Sequence, residues 1–329
     1  MSFRDITGQE RAIRILQGII RRDRIPSAML FSGDSGIGKR LTAVNFAKIA
    51  NCLNRIDLDC CDKCLSCKKI DSEIHPDVHL ITLKNMQKKL SLEKEYSGKE
   101  YPIEAIRRIE ELLYLKISEG KRKFIIIDDA DAMNIFASNA FLKTLEEPPE
   151  DSTIILISEN PDLLLDTVRS RCINVRFYPL SLSDIKKVIE KKIKDTDLEL
   201  LAGLSMGRPG LILSGDLVQN RDKFKKLLFN MIDDQKKEIW ADNEEMESWF
   251  EMASIFLRDG LIYCIIKDKN LTFLKDTIPL IKEDAMDNII SSYQSLEKVR
   301  QALDLNLNKS ITWNYVGGII KALAGVDKR

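Results

Sequence analysis

The chain opens on an amphipathic pattern. Over residues 9–22 the apolar positions Ala12, Ile13, Ile15, Leu16 and Ile19 recur among charged neighbours at helical spacing. This predicts a helix, which Arg24-Ile25-Pro26 ends. The apolar run Ala28-Met29-Leu30-Phe31 then predicts a buried strand, and Leu41–Ala50 a second helix. Val78–Ile81, Phe124–Asp128, Thr153–Ser158 and Ile173–Phe177 read as further strands. Helices are expected over Ile103–Tyr114 and over Ser138–Leu145, the latter stopped by Pro148-Pro149. Strands alternating with helices from 28 to 177 imply an α/β domain with a parallel sheet. Residues 84–100 are rich in lysine and glutamate and lack apolar periodicity, so they are expected to form an exposed loop or insertion. After Pro179 the strands cease. Short helical segments cover 181–214 around Gly207-Arg208-Pro209-Gly210, and helical period continues from about 220 to 326. The expected division is an α/β domain over 1–178, a small helical lid over 179–218 and a helical domain over 219–329.

The turn between the first strand and its helix carries chemistry. Gly33-Asp34-Ser35-Gly36-Ile37-Gly38-Lys39-Arg40 has the form of a phosphate-binding P-loop, in the strand–turn–helix context that such a loop needs. Gly33, Gly36 and Gly38 let backbone N–H groups curl around phosphate oxygens, and Lys39 would reach the outer phosphates. The next residue should be Ser or Thr, whose hydroxyl holds Mg²⁺, but here it is Arg40. The strand ending in Asp128-Asp129 resembles a Walker B strand, whose first acid orients the metal and whose second, normally Glu, polarises the attacking water. Asp129 is one methylene short. The bland alternative is a strand ending in solvated acids; the P-loop upstream favours the nucleotide fold. Fold and activity are separate questions, and Arg40 and Asp129 both weaken hydrolysis.

A second signal lies between the P-loop helix and the next strand. Cys61-Asp62-Lys63-Cys64-Leu65-Ser66-Cys67 contains two overlapping Cys-x-x-Cys pairs, and Cys52 ends the preceding helix. Cys52, Cys61, Cys64 and Cys67 would make a closed, structural Zn²⁺ site with no open position for water. Lysines 63, 68 and 69 would offset its charge. Cys60 is a spare that could replace Cys61 only by breaking the spacing. His75 and His79 are the other possible ligands, although His75-Pro76-Asp77 reads as a structural turn. The competing reading is a reactive or redox cysteine cluster.

Composition narrows the choice. The 329 residues suffice for two or three domains. Lys plus Arg and Asp plus Glu both number 51, so the formal net charge is zero, which argues against a chain whose main task is to coat nucleic acid. No apolar run approaches membrane-spanning length and the start shows no secretory h-region, so a cytoplasmic protein without membrane contact is expected.

Together these residues resemble the delta-prime family of bacterial DNA polymerase III clamp-loader subunits, which are AAA+ proteins. The resemblance covers nearly the whole chain. It is carried by Asp5-Ile6-Thr7-Gly8-Gln9-Glu10, the P-loop, the four-cysteine spacing and His75-Pro76-Asp77. It continues through Ser138–Pro149 and Leu163–Cys172, which ends in Ser170-Arg171-Cys172. Trp249–Lys267, with Arg258-Asp259, and the Leu305-Asn306-Leu307-Asn308 segment look like the family's collar. The implied architecture is an α/β AAA+ P-loop domain with an inserted zinc module near 52–70, a helical lid and an all-α C-terminal collar. The resemblance also implies a pentameric ring with delta and tau/gamma subunits, ATP bound between neighbours, and a sliding clamp placed on primed DNA. Delta-prime members typically do not hydrolyse ATP, and ATP or ADP binding here is expected to be weak or absent. Gly210 stands where ATPase relatives carry an arginine that touches ATP, with Arg208 two residues away. Arg171 matches the family's Ser-Arg-Cys motif and would act as an arginine finger on a neighbour's ATP. Its ordinary alternative is a surface arginine, or one paired with Asp166, and Arg169 is a nearby decoy. Two other functions compete. One is an active tau/gamma-like ATPase subunit, opposed by Arg40, Asp129, Gly210 and the expected lack of a tail beyond the collar. The other is a stand-alone zinc protein that binds nucleic acid, opposed by zero net charge and no aromatic stacking platform.

Overall fold

Five short strands, each flanked by turn residues, place the candidate sites. The structure, a computed structural model, describes residues 1–92, 100–190, 198–213, 216–233, 239–281, 286–303 and 307–324. It divides into two compact units, Met1–Lys192 with Met206–Gly210, and Ile193–Ser205 with Leu211–Arg329.

In the first unit the chain runs α1 (Glu10–Arg21), β1 (Ala28–Ser32), α2 (Lys39–Asn51), α3 (Leu65–Asp71), β2 (Val78–Ile81), α4 (Met86–Lys89), α5 (Ile103–Tyr114) and β3 (Lys123–Ile127). It continues through α6 (Ile135–Glu146), β4 (Ser152–Ser158), α7 (Asp166–Arg169), β5 (Ile173–Arg176) and α8 (Leu182–Glu190). The strands form one parallel sheet in the order β2-β3-β4-β1-β5. β1, β3 and β4 are buried along their whole length, as expected for parallel strands covered on both faces. Their alternate side chains enter two cores. Phe31, Phe124, Ile126, Ile155 and Val175 meet α1 and α2 on one face; Leu30, Ile125, Ile127, Ile154 and Leu156 meet α5 and α6 on the other.

Two expectations are corrected. α6 begins three residues before the apolar pattern suggested, because Asn134 caps it by accepting the Ala137 N–H at 2.9 Å. Residues 84–92 are not a solvated loop, since Met86 and Leu90 are buried against the sheet and the lysines between them face outward. Residues 93–99 of that segment, and Leu305-Asn306, lie outside the described residues.

The turn His75-Pro76-Asp77 fastens the start of β2. The buried Asp77 carboxylate accepts N–H groups of Ser118, Glu119 and Gly120, each at 2.8 Å. His75 Nδ1 accepts the Asp77 N–H at 3.1 Å, and its Nε2 faces Ser66 Oγ at 3.3 Å. Burial alone would raise the Asp77 pKa, but the three N–H donors outweigh it and hold it below its ordinary value. A depressed folded pKa gives stability that is present above the unfolded value of about 3.9 and lost as pH falls through the folded one. Asp77→Asn is therefore expected to cost about 1.5–3 kcal/mol at neutral pH, because an amide leaves N–H donors facing an N–H₂. Urea midpoints should differ clearly at pH 7 and begin to converge only as pH falls below about 4, through the depressed folded value; equal midpoints at pH 7 would remove this assignment.

The second unit is helical, with α9 (Leu198–Leu204), α10 (Pro209–Leu213, which enters from the first unit), α11 (Asp216–Ile232), α12 (Asn243–Ile266), α13 (Met286–Gln301) and α14 (Lys309–Ala324). Its core is aromatic. Trp240 packs on Trp249 at 5.5 Å and on Trp313 at 5.0 Å, both edge-on, and Phe224 and Phe250 complete the cluster. Asp259 on α12 is fully buried. It accepts the N–H groups of Phe273 and Leu274 at 2.7 Å each, while Arg258 pairs with it and lies over the Phe273 ring.

Candidate functional site

β1 delivers the chain to the P-loop at the carboxyl edge of the sheet. Gly33, Gly36 and Gly38 all have positive φ, at 140°, 73° and 99°. A Cβ on Gly33 would stand 2.6 Å from the Phe177 carbonyl, so this position needs glycine for space as well as for φ. Gln9 braces the loop through its side-chain amide, which donates to the carbonyls of Ile37 at 3.1 Å and Tyr178 at 2.8 Å. Gly38 is the N-cap of α2, whose positive end faces the loop. The Lys39 ammonium is folded back onto the loop's own carbonyls, Gly33 and, at 2.7 Å, Asp34. Burial lowers its pKa, and Glu159, Asp128, Asp131 and Asp34 partly oppose this.

The departure from a metal-dependent site is visible in contacts. Arg40 Nη1 lies 3.3 Å from Asp128 Oδ2. The carboxylate that would orient Mg²⁺ thus already faces a fixed positive charge, supplied by the residue that replaces the metal's hydroxyl ligand. Burial raises the Asp128 pKa, and Arg40 opposes the rise. Asp129 goes further, to about 6, because burial and the neighbouring Asp128, Glu159 and Asp131 all disfavour its charge. A phosphate fits the glycine cradle. Ser158 at the end of β4, paired in register with Ser32 of β1, also has a buried hydroxyl without a protein partner. Mg²⁺ does not fit, since one of its two expected protein ligands is a guanidinium and the other is ion-paired.

Gly210 meets the P-loop directly. Its N–H donates to the Gly36 carbonyl at 2.8 Å, and a Cβ there would approach Gly36 Cα to 2.7 Å. A larger residue at 210 would have to move this segment off the loop. Arg208 is partly buried nearby in sequence.

The second cluster forms where α2 ends and α3 begins. Cys52 Sγ lies 3.6 Å from Cys61 Sγ, 3.7 Å from Cys67 Sγ and 4.0 Å from Cys64 Sγ, and all four sulfurs fall within 4.8 Å of one another. A tetrahedral thiolate site with metal–sulfur bonds of about 2.3 Å has sulfur–sulfur edges of about 3.8 Å. The four cysteines therefore already stand at metal-binding distances. Backbone N–H groups of Cys61, Cys64 and Cys67 point at Cys52, Cys61 and Cys64 sulfurs at 3.3–3.5 Å, which favours thiolates. Burial opposes this at Cys64, yet the N–H donors of Cys67 and Leu53 prevail and bring its thiol to about 6. Cys60 is outside the cluster. Its thiol is buried beside Asp62 and pushed up to about 12, chiefly by burial. His75 is held in the turn described above. The lysine that locks this module is not one of the expected three. Lys48 of α2 is fully buried and binds Asp62 at 2.6 Å, Asp71 at 2.7 Å and the Met1 carbonyl at 2.5 Å. Lys69 instead pairs with Glu119 at the surface.

Arg171 lies elsewhere. It precedes β5, at the opposite end of the parallel sheet from the P-loop, which follows β1. The five residues of β1 span about 16 Å at ~3.3 Å per residue, so Arg171 cannot reach its own chain's phosphate site. Its guanidinium pairs with Glu146 and not with Asp166, which pairs with Arg169.

Sequence reasoning overlooked three supports. Tyr101 is buried and its hydroxyl donates to the Asp128 carbonyl at 2.7 Å, fixing the end of β3. Asp131 accepts the N–H groups of Glu159 and Asn160 at 3.1 and 2.9 Å. Asp59 accepts from Phe3, Arg4 and Cys60, tying the N-terminal turn to the cysteine module. Tyr101 and Asp59 each take a partner more than two helical turns away along the chain, at the far side of intervening elements. Periodicity is read within windows of about 11–18 residues and cannot register such pairs.

The sheet order, the glycine loop and the acids ending β3 define a P-loop nucleotide-fold domain, altered at its metal position and carrying a cluster of four cysteines. The family model described as "DNA polymerase III, delta subunit" matches residues 8–181, more than half of the chain. The chain belongs to that family. It is 29% identical over 318 residues to DNA polymerase III subunit delta' of Bacillus subtilis, spanning 91% of this chain and 92% of that one. It is 33% identical over 187 residues to the delta' subunit of Pseudomonas aeruginosa, covering 55% and 53%. The tau subunit of Bacillus subtilis is 26% identical over 342 residues, 94% of this chain but 57% of its own length. A solved gamma subunit-related protein from Thermotoga maritima superposes with a TM-score of 0.47 at 19% identity, covering 95% of this chain and 99% of that one. Among the described residues no helix is long and apolar enough to cross a membrane.

Proposed function

We propose that this chain is the delta-prime subunit of a DNA polymerase III clamp loader, a cytoplasmic ring component that does not hydrolyse ATP itself. The observation that carries the reading is the Arg40–Asp128 pair. Mg²⁺ at a P-loop needs a hydroxyl and a carboxylate, and here a guanidinium takes the place of the first and engages the second. Without the metal, charge on a transferring phosphoryl group goes unneutralised. Asp129 is short and shifted toward neutrality, and Gly210 supplies no cation. The glycines and Lys39 remain, so the loop keeps phosphate affinity for ATP or ADP once Lys39 leaves its carbonyl contacts. In this reading residues 1–178 are the AAA+ module, 179–218 the lid and 219–329 the collar that joins delta and tau/gamma subunits. Cys52, Cys61, Cys64 and Cys67 hold one structural Zn²⁺. Arg171, out of reach of its own nucleotide site, is the arginine finger for a neighbour, and the ring places a sliding clamp on primed DNA.

Phosphate release by the purified chain with saturating ATP and Mg²⁺ tests the reading. Turnover should not exceed a blank. Arg40→Thr alone should not restore it, because Asp129 and Gly210 are uncorrected. Turnover well above the blank and abolished by Lys39→Ala would instead favour an active tau/gamma-like subunit. Co-purification with delta and tau/gamma subunits tests the assembly.

A further inference from the structure

Arg171 is held in a specific way. Its Nε donates to Glu146 Oε1 at 2.8 Å and its Nη2 donates to the same oxygen, while Nη1 donates to the Thr167 carbonyl at 2.7 Å. A guanidinium has five N–H donors in one plane. Three are used, and two remain for an incoming oxyanion. The side chain is thus oriented without being exhausted.

Glu146 is the last residue of α6. That helix is anchored in the sheet's core by Ala137, Phe141 and Leu145, and by Thr144, whose hydroxyl donates to Glu110 at 2.5 Å. The C-terminal end of a helix also favours a cation. Arg169 lies two residues before Arg171 and contrasts with it. Its Nη1 binds Asp162 at 2.5 Å and its Nη2 binds Asp166, both carboxylates that are more than four-fifths exposed. Both ends of the Arg169 fork are committed to exposed surface acids. Only Arg171 of the two is tied to the end of a packed helix, so its fork is the one held in a fixed orientation.

We infer that Glu146 is a positioning residue for Arg171: it holds the guanidinium plane so that the two unclaimed N–H groups present themselves to a neighbouring subunit's γ-phosphate. The inference rests on the reading of Arg171 as a finger in trans. An arginine has four side-chain torsions, and a catalytic fork works only within a narrow range of orientation. The carboxylate narrows the range before the phosphate arrives. Its charge is compatible with the task, because the phosphate approaches the guanidinium edge that Glu146 does not occupy.

The test uses the reconstituted complex with delta and tau/gamma subunits, clamp and primed DNA. Glu146→Ala should lower stimulated kcat for ATP hydrolysis by about tenfold with KM for ATP little changed. Glu146→Gln keeps an acceptor oxygen and should lose less, about threefold. In an Arg171→Ala background neither substitution should reduce the rate further. That non-additivity separates positioning from a structural role, which would lower the rate in either background. Co-assembly and melting temperature of the variant chains report folding, and if Glu146→Ala does not assemble, Glu146→Gln carries the comparison. Normal rates for both Glu146 variants beside a slow Arg171→Ala complex overturn the positioning role and leave the finger standing. A loss with Glu146→Ala or Glu146→Gln that persists undiminished in the Arg171→Ala background does the same. A normal rate for an assembled Arg171→Ala complex overturns the finger itself, and with it this inference.

Discussion

Cys64→Ala is expected to release the zinc ion that the chain is proposed to carry and to loosen residues 52–70. Cys64 holds two positions at once. Its sulfur is part of the four-thiol cluster, and it is the N-cap of α3, accepting the Cys67 N–H at 3.5 Å. Between Cys52 and Cys64 the chain has almost no regular structure, only an isolated bridge between Ile56 and Asp59. Ordering so many loop residues costs conformational entropy that hydrogen bonds alone do not offset. A closed tetrahedral metal site supplies the missing free energy, on the order of 10 kcal/mol in small zinc peptides. Only part of that would be lost here, because α2 and the sheet stay packed and Lys48 still binds Asp62 and Asp71. A loss of about 3 kcal/mol is expected, which lowers the melting temperature by roughly 6–12 °C. A strong chelator should reproduce the shift in the unaltered chain. Cys60→Ser, outside the cluster, should leave the zinc content at one ion per chain. Elemental analysis that finds no zinc in the unaltered protein, with the cluster's thiols open to titration, would overturn the assignment. ATP hydrolysis by partner subunits should hardly respond to Cys64→Ala, since the module is far in sequence from every residue assigned to phosphate chemistry in a neighbour's site.

What was legible in the sequence was local. The P-loop announces itself in eight consecutive residues, and the buried strands in unbroken apolar runs. The Cys-x-x-Cys pairs state their own geometry, and Cys52 needed only the end of a predicted helix to place it. The start of α6 was misplaced because Ile135 and Phe136 are apolar yet largely exposed, so the hydrophobic face gave the wrong boundary. The capping residue Asn134 was the better signal. Met86 and Leu90 were missed because two buried residues four apart were diluted by lysines. Ion pairs were the least legible. Lys48, Arg40 and Arg171 each take partners that lie 14–88 residues away, and no periodicity connects them. Of these, the Arg40–Asp128 pair lies at the P-loop, so the motif was readable while its electrostatics required the fold.

Arg171→Ala is expected to leave the chain folded and able to assemble, yet to slow clamp- and DNA-stimulated ATP hydrolysis by the complex by about 10²-fold or more. The two halves of this expectation have separate physical grounds. For stability, Arg171 and Glu146 are a partly exposed pair at the sheet's edge, and such pairs contribute about 0–1 kcal/mol. Removing the arginine buries no charge, because Glu146 can turn to water. For catalysis, negative charge spreads over the γ-phosphoryl oxygens in the transition state, and a planar cation beside them acts where no water can replace it. Arginine fingers supply roughly 10³–10⁵ in rate where they have been measured, about 4–7 kcal/mol. The expected factor is set lower, at the level seen wherever conformational steps share control of turnover. Arg171→Lys should rescue poorly: an ammonium is a point charge without the fork, and it cannot keep the paired contacts to Glu146 while also meeting a phosphate. Arg169→Ala should be nearly silent by comparison, since that guanidinium forms only surface pairs with the exposed Asp162 and Asp166. The topology makes the result informative about which subunit is affected. Arg171 stands at the far end of the sheet from its own P-loop, and its own Asp128 is paired with Arg40. A rate loss would therefore arise in a neighbour's active site, and this chain would complete that chemistry without performing its own. A complex that contains the Ala variant, hydrolyses ATP and loads clamps at the normal rate would show that Arg171 is an ordinary surface arginine.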